Sequence, residues 1–195
     1  VRVKAGSNIA VFLDRDGTIN EDTGYLHEPE ELVIINGAAE AIRRLNAASV
    51  MVVVVSNQSG VGRGFFTDSD VEAVNKRLID VIKADGAKVD AIYYCNHHPD
   101  EDCECRKPSP GMIMKASAEH GIDLNFSYVV GDKGSDIELA FNAGAKGVLV
   151  LTGKGKGELQ KLKRPAGFVA EDLTGAVLWI LDDLKRRGAS LPNSG

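Results

Sequence analysis

Two aspartates two positions apart, Asp14 and Asp16, end the first apolar run of the chain and lead straight into a Gly-Thr turn. The stretch reads Phe-Leu-Asp-Arg-Asp-Gly-Thr-Ile over residues 12–19. In an extended strand, residues i and i+2 project to one side, so the two carboxylates are expected to share one small volume. Two anions that close need a shared proton or a cation between them. A hard divalent cation such as Mg²⁺, held by oxygen ligands and a phosphate, meets that need. Taken alone, the same pair also suits a strand ending in a solvated turn.

A second cluster is chemically different. All three cysteines fall within residues 95–105. Cys95-x-His97 and Cys103-x-Cys105 form a Cys₃His set suited to tetrahedral Zn²⁺; on spacing alone His98 could replace His97. An odd cysteine count opposes a disulfide framework. With four protein ligands and no open position, such a zinc is structural. It would brace the loop that presents Arg106 and Lys107.

These groups must be carried by regular elements, and apolar periodicity supplies them. Strands are expected at 9–13, 50–55, 92–95, 128–131 and 147–151; the Val-rich second one reads as covered on both faces. Helices are expected at 37–48, at 67–85, from Ser109-Pro110 to Gly121, from a Ser135/Glu138 capping box to Gly144, and at 173–187. Alternation of this kind predicts an α/β fold: a doubly wound parallel sheet with right-handed crossovers. Ligands of such sheets sit beyond the carboxyl ends of the strands. The segments following four of these strands are Asp14/Asp16, Ser56-Asn57-Gln58-Ser59-Gly60, the cysteine loop to Arg106-Lys107, and Asp132-Lys133-Gly134-Ser135-Asp136. All four suit one phosphate and one metal. Ser56 and Asn57 could hold phosphoryl oxygens or merely close a strand.

The ordered set D-x-D-G-T, Ser56-Asn57, Arg106-Lys107 and D-x-x-x-D resembles the haloacid dehalogenase superfamily of phosphatases, over about residues 9–150. The resemblance implies a Rossmann-like fold without a large cap. It implies Asp14 as nucleophile, Asp16 as general acid and then base, and Lys107 as the cation screening nucleophile from phosphate. Asp14, the carbonyl of Asp16 and Asp132 would hold Mg²⁺, with Asp136 supporting. Within the superfamily, the zinc loop with V-V-G-D-K-G-S-D and S-N-Q-S-G-V-G-R-G is similar to the D-glycero-D-manno-heptose 1,7-bisphosphate 7-phosphatases. These are Mg²⁺-dependent cytosolic monomers that serve heptose activation for lipopolysaccharide. Substrate contacts are then implied at Asp22, Thr23, Gly24, Tyr25, Ser56, Asn57, Gln58, Ser59, Arg106, Lys107 and Lys133, with Arg63-Gly64 a further sugar-side option. The short segment between His97 and Cys103 departs from the commoner pattern, as does the lack of Pro-Gly near Gly37. Histidinol-phosphate phosphatases share the zinc loop and the chemical residues, and are the alternative reading.

Composition sets the outer limits. At 195 residues with 44% hydrophobic and 26% charged residues, the chain suits one domain with one sizeable core. Residues 1–187 are expected to form the domain, with the zinc loop 95–105 inserted and 188–195 as a tail. A net charge of −5 argues against nucleic-acid or membrane-surface binding. Residues 1–10 have neither the length nor the composition of a signal peptide, so a cytosolic location is expected. A receiver-type phosphoacceptor domain would carry its acceptor Asp after the third strand, where this chain has Cys95. A zinc-stabilised binding module without catalysis would not need the full set of polar strand ends.

Overall fold

The computed structural model describes residues 8–189. Six parallel strands form one sheet: β1 (Ala10–Leu13), β2 (Met51–Asn57), β3 (Ala91–Cys95), β4 (Tyr128–Gly131), β5 (Lys146–Val150) and β6 (Phe168–Ala170). Their order is β3-β2-β1-β4-β5-β6. The chain winds outward from β1 to β3, then returns across β1 to begin again at β4. The reversal lies between β1 and β4, where a ligand crevice is expected. β6 escaped the sequence reading because Phe168-Val169-Ala170 is too short to show a period.

Strand alternation divides the core into two layers. Val11, Leu13, Val52, Val54, Tyr128 and Val130 face the layer covered by α1 (Ala38–Ala47), α3 (Asp68–Ala84) and α7 (Leu173–Arg186). Ala10, Phe12, Val53, Val55 and Val129 face the layer of α4 (Gly111–His120) and α5 (Gly134–Ala143). All these strand residues are fully buried, and each large aliphatic one contributes about 1.5–3 kcal/mol over exposure. Two one-turn helices, α2 (Ser59–Gly62) and α6 (Gly155–Glu158), follow β2 and β5.

Three local expectations need correction. β2 runs through Ser56 and Asn57 instead of ending at Val55, because both residues pair with β3 at Tyr94 and Cys95. Ser109 does not cap α4: Pro110 is its cap residue without a side-chain bond, and the Gly111 N–H donates to Glu104 O inside the cysteine loop. Ser135 and Glu138 do not box α5. Instead the Lys133 N–H donates to Asp136 Oδ2 at 3.1 Å and the Asp136 N–H to Lys133 O, so the second acid of D-x-x-x-D starts the helix. Gly188, at φ 75°, and Ala189, whose N–H reaches Leu184 O, close α7. The remainder of the expected tail, 190–195, lies outside the described residues, as do residues 1–7 of the segment read against a signal peptide.

Candidate active site

Asp14 leaves the end of β1 into a cleft of about 430 Å³ at the switch point. It is buried, and two ammonium groups meet it: Lys107 Nζ at 2.7 Å and Lys133 Nζ at 3.3 Å. Burial works to raise its pKa, yet the two lysines hold it below the ordinary 3.8. Lys107 is equally enclosed and touches Asp136 Oδ1 at 2.7 Å and Val55 O at 3.0 Å. Burial works against its charge, but Asp136 and Asp14 raise its pKa and keep it an ammonium. A buried, ionised carboxylate flanked by fixed cations can attack an electrophile that is itself an anion.

The three oxygens expected around Mg²⁺ converge on a single cation. Lys133 Nζ lies 3.3 Å from Asp14 Oδ2, 3.2 Å from Asp16 O and 3.1 Å from Asp132 Oδ1. Carboxylate oxygens of Asp14, Asp132 and Asp136 also lie within 4.8 Å of one another. Among the described residues, Lys133 is the only group within ion-pair distance of Asp132 Oδ1, which is buried and accepts no regular hydrogen bond. Burial, with Asp14 nearby, raises the pKa of Asp132; burial, with Asp14 adding to it against Lys107, pushes Asp136 up to about 6. Such a set is short of positive charge, and a hard divalent cation fits it. Close approach depends on glycine: a Cβ on Gly17 or on Gly153 would stand 2.3 Å from Asp132 Oδ2.

The D-x-D pair does not behave as i and i+2 of a strand. β1 ends at Leu13, and the chain turns at once, with the N–H groups of Thr18, Ile19 and Asn20 all directed at Arg15 O. Asp14 therefore faces the lysines, while the Asp16 carboxylate takes Arg15, Asn20 and Gln58 as donors. Asp22, Gly24, Tyr25, Ser56, Asn57, Ser59 and Arg106 line the same cleft. Thr23 and Arg63 are exposed outside its lining. Gln58 is buried behind it, donating to Ser56 Oγ at 2.6 Å. Asn57 spends its amide on the Lys107 backbone, accepting from N–H at 3.0 Å and donating to C=O at 3.2 Å.

Two lining residues were not foreseen as contacts, Ser135 and Lys154. Lys154 pairs with Asp22 at 3.1 Å, and its backbone N–H donates to Asp132 Oδ2 at 2.8 Å. Its signal was its place after β5, the fifth strand end.

The cysteine loop gathers four ligands. Cys103 Sγ lies 3.7 Å from both Cys95 Sγ and Cys105 Sγ, near the edge of about 3.8 Å set by zinc–sulfur bonds of about 2.3 Å, whereas Cys95 Sγ and Cys105 Sγ stand closer, at 2.8 Å. His97 Nδ1 lies 3.2–3.4 Å from Cys105 and Cys95. His98 instead accepts from the Asp100 N–H. The cysteines form no disulfide. Burial and the neighbouring sulfurs push the Cys105 thiol up, the state a cation would reverse.

A HAD-hydrolase-like family model matches residues 104–176. A D-glycero-D-manno-heptose-1,7-bisphosphate 7-phosphatase of Thermosynechococcus vestitus is 42% identical over 193 residues, covering 91% of this chain and 98% of that one. A Yersinia pestis protein named for the β-anomer of that substrate is 46% identical over 154 residues, covering 74% and 81%. Among solved structures, a D,D-heptose 1,7-bisphosphate phosphatase from B. bronchiseptica, complexed with magnesium and phosphate, superposes with a TM-score of 0.85. It is 36% identical and covers 90% of this chain and 99% of that one.

Proposed function

The chain belongs to the D-glycero-D-manno-heptose-1,7-bisphosphate 7-phosphatase family of HAD-like hydrolases, and on that premise we propose that it removes the 7-phosphate from the heptose bisphosphate through a phosphorylated Asp14. The observation that carries the reading is the buried Asp14 carboxylate between Lys107 and Lys133. Asp14 Oδ attacks phosphorus; Lys107 offsets the charge of nucleophile and phosphoryl group. Ser56 Oγ, with its acceptor side taken by Gln58, has its proton free to donate to a phosphoryl oxygen. Asp16 protonates the leaving sugar oxygen, then takes a proton from the water that hydrolyses the aspartyl-phosphate. Mg²⁺ held by Asp14, Asp16 O and Asp132 would supply charge neutralisation for the phosphoryl group. Asp136 supports that set through Lys107, and Lys133 turns from the carboxylates to the substrate.

Arg106, whose Nη1 is buried without a hydrogen-bond partner among the described residues, is assigned to the substrate with Asp22, Gly24, Tyr25 and Ser59. Zn²⁺ on Cys95, His97, Cys103 and Cys105 is assigned a structural task. The reading also makes the protein a cytosolic monomer in activated-heptose and lipopolysaccharide core synthesis. The test is Mg²⁺-dependent phosphate release from heptose 1,7-bisphosphate and histidinol phosphate, side by side. Preference for the bisphosphate is expected; preference for histidinol phosphate would overturn the substrate and keep the chemistry.

A further inference from the structure

Arg15 is the largest side chain buried completely, and the reaction as described leaves it without a task. A buried guanidinium costs several kcal/mol unless it is fully paired, so an apolar residue would be the ordinary choice at this position. Its partners are specific. Nε donates to Asp16 Oδ1 at 3.1 Å and Nη2 to Asp16 Oδ2 at 3.0 Å, a two-point fork on one carboxylate. Nη1 donates to Asn75 Oδ1 at 3.0 Å, from the buried face of α3. Asn20 and Gln58 each add one donor to the same carboxylate, at 2.9 and 3.0 Å. A planar fork fixes the plane of a carboxylate as a lysine cannot.

We propose that Arg15 and Asn75 are positioning residues for Asp16: Asn75 anchors the guanidinium, and the guanidinium holds the Asp16 carboxyl plane toward the leaving oxygen. The inference rests on the general-acid role given to Asp16 above. As the P–O bond breaks, Asp16 transfers its proton to the sugar oxygen and becomes the anion that the fork and the two amides hold. Neither Arg15 nor Asn75 lines the cleft, so neither touches the substrate.

The experiment is kcat/KM, which reports the first phosphoryl transfer, for two esters with Mg²⁺. Heptose 1,7-bisphosphate has an alkoxide leaving group that needs a proton; p-nitrophenyl phosphate has a phenolate that leaves without one. The variants are Arg15→Lys, Asn75→Leu and Asp16→Asn. Loss of about ten- to a hundred-fold on the sugar ester, with under about three-fold on the aryl ester, is expected for Asn75→Leu, and a greater contrast for Arg15→Lys. Equal losses on both esters, or none, would overturn the proposal. Should Arg15→Lys fail to fold, Asn75→Leu decides. If Asp16→Asn itself loses both esters equally, the general-acid reading falls and takes this inference with it. If Asp16→Asn discriminates and the other two do not, only this inference falls.

Discussion

Asp14 is held ionised by two ammonium groups, one of which also sits where a metal is expected, so substitutions at the two kinds of residue have different consequences. Asp14→Asn keeps the shape and removes the carboxylate proposed as nucleophile. Phosphate release should fall by more than about a thousand-fold, with the variant still folded by circular dichroism; residual turnover near wild type would exclude Asp14 as nucleophile. Lys133→Met removes the cation that lies against Asp14, Asp16 O and Asp132. The half-saturating Mg²⁺ concentration should then fall while KM for substrate rises, read from Mg²⁺ titrations of the initial rate. A rise in both would mean that Lys133 helps to hold the metal. At this scale the acids and lysines were legible, because charged residues at strand ends of an α/β pattern have few other uses. Arg15 was not: between two aspartates it reads as a spacer, and only the turn after Leu13 aims it at Asp16. Lys154 reads as solvated surface until its backbone meets Asp132.

Elements carry these groups, and two joints between elements are open to test. The first is the Asn57 amide, which ties the end of β2 to the backbone at Lys107 and so fixes where the cysteine loop ends. Its residue type suggested phosphate contact; only β2–β3 pairing reveals the clamp. The second joins β4, β5 and α7. Tyr128 Oη donates to Asp183 Oδ2 at 2.7 Å, and Lys146 Nζ lies 2.7 Å from the same oxygen. Burial alone would raise the Asp183 pKa, but the Lys146 and Tyr128 hydrogen bonds lower it from 3.8. The unfolded state thus binds the proton more readily. This contribution is complete above 3.8 and is lost as pH falls through the lower folded value. Asp183→Ala should cost about 1–3 kcal/mol at neutral pH, by leaving the buried Tyr128 hydroxyl proton without its acceptor, with a smaller gap from wild type as pH falls below 3.8. Denaturant melts at pH 7 and pH 3 measure both; an equal gap at the two would show that the ionised carboxylate is not what stabilises this joint.

The whole molecule concentrates opposite charge at one end. The net charge is −5, yet Arg106, Lys107, Lys133 and Lys154 all line the cleft, against three acids, Asp14, Asp16 and Asp22. Sheet topology explains the convergence, since parallel strands present all their carboxyl ends on one edge. That much followed from the alternating pattern, whereas the β5 loop's share depended on where Gly153 lets the chain approach Asp132. Asp132 and Asp136 lie against the same lysines, so the site turns net positive once a divalent cation is bound; charges so gathered focus a field that draws anions in, and salt screens it over about 8–10 Å. A bisphosphate presents a second anionic group to this field, and histidinol phosphate presents an amine instead. Raising NaCl from about 20 to 300 mM should therefore lower kcat/KM for heptose 1,7-bisphosphate by a larger factor than for histidinol phosphate. Replacing Lys154 by Met should shrink that difference, because its ammonium, 62% exposed and among the described residues paired only with Asp22, is the cleft cation most open to solvent. Equal salt dependence for the two esters would put the second phosphate beyond the reach of these cations, and would leave recognition of the bisphosphate to contacts with the sugar.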